Sequence, residues 1–152
     1  MPISLSAKME TTQAPFGKDF VEDLLPQKFP FVMVDKMLTY TERSLVSGLK
    51  IQEDNIFLVD GSLVEAGLIE HMAQSVALHT GYQFFLKQES APTGYIGSIK
   101  EITITQLPKL GQEIQTTVTV LHEFAGITLV DIVTTLHQIE IARGQMKTIL
   151  AK

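Results

Sequence analysis

Residues 64–87 run without a proline, and apolar or small side chains at Leu68, Ile69, Met72, Ala73, Val76, Ala77, Phe84 and Phe85 recur at spacings of three and four. That period is helical, so the stretch predicts one helix of about 20 residues and about 30 Å. It is apolar on most sides, and such a helix must be surrounded by protein rather than lie on a surface. The rest of the chain is constrained accordingly: it has to wrap this helix.

The C-terminal part of the chain suits that task. After the turn-forming run Ser90, Ala91, Pro92, Thr93 and Gly94, apolar and polar residues alternate as they do in half-buried strands. Strands are expected over 95–105, over 114–122, along a branched stretch at 127–141 and at 145–150. Turns are expected at 107–111 and 124–126, with a bend at Arg143 and Gly144. Before the helix, residues 18–25 predict two helical turns ended by Pro26. Residues 31–38 predict a largely buried strand set off by Pro30, and 45–51 its antiparallel neighbour. Residues 1–17, rich in Ser, Thr, Lys and Pro without periodicity, read as a loosely held arm. The expected layout is α+β: one domain over residues 18–152, with an antiparallel sheet covering a single long central helix.

Composition narrows the function. The 152 residues contain no cysteine, which excludes a disulfide scaffold, a thiolate metal site and a cysteine nucleophile. A net charge of −5 with Arg43 and Arg143 as the two arginines argues against a nucleic-acid footprint. No run approaches the roughly 20 apolar residues of a membrane span, and the opening residues lack the apolar stretch of a signal peptide. A cytoplasmic protein is therefore expected. No two histidines have metal-ligand spacing, so no metal is expected either.

Two segments carry a family resemblance. Leu24, Leu25, Pro26, Gln27, Lys28, Phe29, Pro30, Phe31, Val32, Met33, Val34, Asp35 and Lys36 resemble the leucine-leucine-proline, proline-aromatic, valine-aspartate opening of the 3-hydroxyacyl-acyl carrier protein dehydratases. Ile69, Glu70, His71, Met72, Ala73 and Gln74 resemble that family's central-helix motif, and the order of elements matches from about Asp19 to Leu150. The resemblance implies the hot-dog fold. It also implies a lyase that removes water from a 3-hydroxyacyl thioester on a phosphopantetheine arm, in fatty-acid or polyene-type lipid synthesis, with no cofactor beyond that arm. Such chemistry needs a base for the proton beside the thioester carbonyl and an acid for the departing hydroxide. It also needs stabilisation of the enolate oxygen, which N–H groups at a helix N-terminus can supply. In the family a loop histidine takes the proton and a helix carboxylate assists the hydroxide; Glu70 occupies the second position.

Glu70 is also unusual on its own terms. On a helical wheel it shares a face with Ala66, Ala73, Gln74, Ala77 and Gly81. Small side chains beside a carboxylate leave space for an acyl chain, so Ala66, Gly67, Ala73, Gln74 and Ala77 are the expected substrate-binding positions. Apolar surroundings favour the protonated form of a carboxyl, which suits a general acid. The plainer alternative is that Glu70 complements the helix dipole or pairs with a lysine.

The chain departs from the family at the other catalytic position. The loop that should carry the histidine, after a run that Ile51, Gln52, Glu53, Asp54, Asn55, Ile56 and Phe57 resembles, is here Leu58, Val59, Asp60, Gly61, Ser62, Leu63 and Val64. It is shortened and has no histidine. Asp60 falls nearest the missing base, although an ordinary aspartate is a weak base for a thioester α-proton. Among the histidines His71 is the leading substitute because it follows Glu70, though about 100° round the helix. His79 lies on roughly the opposite face, and His122 and His137 belong to expected strands. This shortened version resembles the dehydratase-like proteins of aryl-polyene and related pigment-lipid gene clusters. The resemblance implies a homodimer, or a heterodimer with a histidine-bearing homologue. Candidate contacts for an acidic carrier protein are Lys28, Lys36, Arg143 and Lys147, with CoA the alternative thioester carrier; Tyr82, Phe84 and Phe85 are candidates for setting tunnel depth. Three readings stand: a dehydratase with Glu70, His71 and Asp60 as candidate catalytic groups, a non-catalytic acyl- or carrier-binding subunit, and a thioesterase.

Overall fold

The computed structural model describes residues 16–150. In chain order the elements are helix α1 (Lys18–Leu24), strands β1 (Lys36–Thr41), β2 (Ser44–Lys50), β3 (Leu58–Val59) and β4 (Ser62–Leu63), helix α2 (Glu65–Leu86), and strands β5 (Gly94–Ile104), β6 (Glu113–Phe124), β7 (Ile127–Leu136) and β8 (Ile139–Leu150). Six strands form one antiparallel sheet in the order β1-β2-β6-β7-β8-β5, and β3 with β4 makes a small separate hairpin.

The wrapped helix is α2, 22 residues long and in contact with β2, β5, β6 and β7. Its burial on several sides agrees with its composition, as the sequence required. Around its first half, Leu68, Met72 and Val76 pack with Ile114, Val118, Ile132 and Met146. Around its second half, Leu78 and Tyr82 pack with Val21, Leu25, Met37, Tyr40 and Leu45. Each fully buried aliphatic contributes on the order of 1.5–3 kcal/mol relative to exposure, so the two clusters are what hold sheet and helix together. No helix among the described residues is long and apolar enough to cross a membrane.

Three expectations need correction. The strand expected over 31–38 begins at Lys36. Residues 31–35 stay irregular, because Met33 uses its backbone groups on side chains of α2 rather than on a neighbouring strand. The long branched stretch at 127–141 is two strands, β7 and β8, joined at His137 and Gln138, whose φ values of 50° and 68° are the positive pair a two-residue type I′ turn requires. Arg143 and Gly144 lie inside the continuous strand β8 rather than at a bend before a last strand. Gly144 is needed there for another reason: Ile102 of β5 fills the place where a Cβ would stand. Of the expected arm, residues 1–15 lie outside the described residues, and Phe16 exchanges backbone hydrogen bonds with Met37 at 2.8 and 3.0 Å.

Candidate active site

Glu70 lies in the second turn of α2 and Gln74 one turn further, the i,i+4 spacing at which helical side chains meet. Gln74 Nε2 donates to Glu70 Oε2 at 2.8 Å and to the Phe31 carbonyl at 2.9 Å, while Gln74 Oε1 accepts the Met33 N–H at 2.6 Å. Gln74 is 1% exposed; its bond to Met33 is buried, and those to Glu70 and Phe31 are partly so. An oxygen facing an N–H and a nitrogen facing two acceptors permit one orientation of the carboxamide. Glu70 is half-buried, and its Oε1 has no partner among the described residues. One carboxylate oxygen is thus held by the protein, and the other has no protein partner among the described residues.

The other side of the helix is closed. His71 is fully buried, with Nδ1 2.7 Å from the Met33 carbonyl and Nε2 2.7 Å from Thr116 Oγ1, itself 2.6 Å from Thr134 Oγ1. A carbonyl accepts but never donates, so Nδ1 carries the hydrogen and Nε2 accepts from the Thr116 hydroxyl. Burial pushes the His71 pKa down to about 4, against the partial support of the Met33 carbonyl, and the ring is neutral near pH 7. Ser75 extends this polar group by donating to the His71 carbonyl at 2.8 Å and lying 2.6 Å from Ser47 Oγ.

A cavity of about 150 Å³ opens on the Glu70 side. Of the expected substrate-binding positions, Ala73, Gln74 and Ala77 line it beside Glu70. Ala66 and Gly67 do not: Ala66 is exposed, and Gly67 is packed so tightly under Phe57 that a Cβ there would lie 2.5 Å from the Phe57 Cβ. Further walls come from Leu24 at the end of α1, from Pro26 and Gln27 just after it, and from the paired strand ends Gly94 with Leu150 and Ile96 with Thr148. Sequence reasoning missed these walls together with Thr80. Thr80 continues the Glu70 face one turn beyond Ala77, and Thr148 and Leu150 share the two-residue period of buried Met146, so both signals were available. Gln27 Oε1 is buried with no hydrogen-bond donor among the described residues.

The remaining candidates go elsewhere. Asp60 sits at the exposed tip of the β3–β4 turn with φ of 51°. His79 stacks on Tyr40 and bonds the Thr41 carbonyl at 3.0 Å; its pKa is lowered by burial. His122 is exposed near the end of β6, and His137 is exposed in its turn. No histidine lines the Glu70 cavity among the described residues. Tyr82 and Phe85, expected to set tunnel depth, pack into an aromatic cluster with Phe20 instead, and Phe84 lies under Lys87. Lys28, Lys36 and Arg143 have carbonyl or acidic partners within the chain. No group of three or more His, Asp or Glu able to hold a metal occurs among the described residues.

The family profile of ApeP-like proteins, described as ApeP dehydratase, matches residues 20–151. The chain belongs to the ApeP-like dehydratase family. A chain of the dehydratase heterocomplex ApeI:P from Xenorhabdus doucetiae superposes on this ApeP-like protein with a TM-score of 0.81 at 17% identity, covering 87% of this chain and 91% of that one. The PaaI protein of the E. coli phenylacetic acid degradation operon gives 0.61 at 15% identity, covering 74% and 80%. A hypothetical thioesterase with coenzyme A from Streptococcus pneumoniae gives 0.57 at 10%, covering 76% and 84%. At these identities the structural likenesses carry the fold alone, and that fold is the hot-dog. No curated protein sequence matches the chain. The family and fold expected from the two motifs are those found.

Proposed function

We propose that this ApeP-like protein dehydrates a 3-hydroxyacyl thioester carried on acyl carrier protein, as one half of a site whose base comes from a histidine-bearing hot-dog partner. The observation that carries this reading is Glu70: a carboxylate with one oxygen held by Gln74 and the other open, on the wall of a cavity otherwise lined mainly by small and apolar side chains. In the reaction a base removes the proton beside the thioester carbonyl and the C–O bond at the 3-position breaks. The carboxyl of Glu70 gives its proton to the leaving hydroxide, so an enoyl thioester and water result.

The lack of a histidine at the cavity favours a shared site. The edge of the sheet offers the place for it: β5 pairs with β8 alone among the described strands, Ile96 and Ile99 on it are 44% and 43% exposed, and its first residues wall the cavity. A second hot-dog chain added at this edge would bring its own residues to the mouth of the cavity. Formation of a heterocomplex by ApeI and ApeP of Xenorhabdus doucetiae supports such a pairing.

The same absence of histidine also favours a second reading, in which the chain holds the acyl group and the partner alone does chemistry. Turnover of a 3-hydroxyacyl thioester by the chain mixed with a histidine-bearing homologue distinguishes the two. Glu70→Gln is expected to lower kcat of the mixture by about 100-fold or more, the scale of a lost general acid. Unchanged kcat would overturn the role of Glu70 and leave the binding reading, whereas release of free thiol would indicate thioester hydrolysis.

A further inference from the structure

We propose that His71 is a positioning residue for Glu70, acting through the Met33 backbone and the Gln74 carboxamide. The proposal rests on the reading of Glu70 as the acid group, but the coupling itself is measurable without turnover.

Met33 is held from two sides. Its carbonyl accepts from His71 Nδ1–H at 2.7 Å, and its N–H donates to Gln74 Oε1 at 2.6 Å. Residues 31–35 belong to no strand, and these two side chains take both backbone hydrogen-bonding groups of Met33. Gln74 depends on it in turn. With the Met33 N–H in place, the amide oxygen faces Met33 and the amide nitrogen faces Glu70 and Phe31. Without it, the reversed orientation becomes accessible, and that would set an oxygen against the Glu70 carboxylate. On its far side the His71 ring is tied through Thr116 of β6 to Thr134 of β7. A continuous path of hydrogen bonds therefore runs from the sheet through His71, Met33 and Gln74 to the reactive carboxylate. On the helix Gln74 lies four residues from Glu70 and three from His71.

The test compares His71→Asn with His71→Gln in the full chain. The Asn amide overlies the Nδ1 half of the ring and keeps a donor for the Met33 carbonyl while losing Thr116. The Gln amide reaches Thr116 and loses Met33. Each variant gives up one buried hydrogen bond, so a histidine with a structural role alone makes the two equivalent. The readout is the carboxyl carbon resonance of Glu70 in glutamate-labelled protein, assigned with Glu70→Gln. The resonance is expected to move in His71→Gln and to stay at its wild-type position in His71→Asn. In the dehydrating mixture kcat should fall about tenfold in His71→Gln with KM little changed, and return to within about twofold of wild type in His71→Asn. A Glu70 resonance unmoved in His71→Gln, or moved equally in both variants, overturns the proposal. If the resonance behaves as expected while Glu70→Gln leaves turnover intact, the coupling holds and the catalytic reading of Glu70 fails. Should neither His71 variant fold, Thr116→Val keeps the side-chain volume and releases the far ring nitrogen. Like His71→Asn it keeps the Met33 bond, so the resonance should stay at its wild-type position, and a shift would overturn the route through Met33.

Discussion

Glu70 and His71 are chain neighbours with opposite surroundings. Glu70 faces small side chains and an open volume of about 150 Å³, with one carboxylate oxygen left over. His71, one residue on, has both ring nitrogens bonded, no exposed surface and no room around it. A polar residue on a buried helix thus becomes available for chemistry by being left incompletely satisfied beside space, whereas one with every partner supplied stabilises the core.

The contrast is sharpest in stability. His71→Leu leaves the Met33 carbonyl without its donor and Thr116 without its acceptor, and should cost about 3 kcal/mol or more in urea unfolding. Glu70→Leu, at the edge of a cavity, should cost less than about 1 kcal/mol. Comparable losses in the two variants would break the comparison.

Protonation gives a second handle. An unfolded histidine takes up its proton near 6.5, whereas His71 in the fold does so near 4. Between these values the unfolded chain binds the additional proton, so stability falls as pH drops from about 6.5 to about 4, by up to about 3 kcal/mol. His79, also lowered by burial, acts in the same direction, so the share belonging to His71 is the part of the slope that His71→Leu removes. An identical slope in wild type and variant would show that His71 is not the buried neutral group described.

Smaller effects separate real space from apparent space on the Glu70 side. Gly81 looks vacant on a wheel, but a Cβ there would lie 2.6 Å from the Leu24 carbonyl oxygen. Gly81→Ala should cost about 1–3 kcal/mol by pushing α1 away. Ala77 borders the cavity itself, so Ala77→Leu should change stability by less than about 1 kcal/mol while weakening acyl-chain binding about tenfold. Fluorescence titration with a labelled acyl chain and a melting curve measure the two; the reverse ranking in stability would mean that the cavity is not where the small residues open.

How much of this was legible in the sequence depends on the range of the interaction. The helix, the strand alternation and the turn at Ala125 and Gly126 rest on local preferences and were readable. The turn at His137 and Gln138 was not, because neither is the Gly, Asn or Asp that marks a type I′ turn and the pairing of β7 with β8 imposes the conformation. The strand expected at 31–35 failed for a related reason: Met33 is apolar and buried, but its hydrogen bonds go to side chains 38 and 41 residues away. Glu70, Ala73, Gln74 and Ala77 were found as a face because helical spacing places them together. Gln27 joined them through a contact that no local period encodes.

By itself the sequence determined one long buried helix, an antiparallel sheet to cover it, a family and a carboxylate among small residues, because periodicity and motif spacing are properties of consecutive residues. The tertiary structure decided which of two adjacent polar residues meets the cavity and which closes the core. Each depends on what the sheet and residues 31–35 present to the helix from distant parts of the chain.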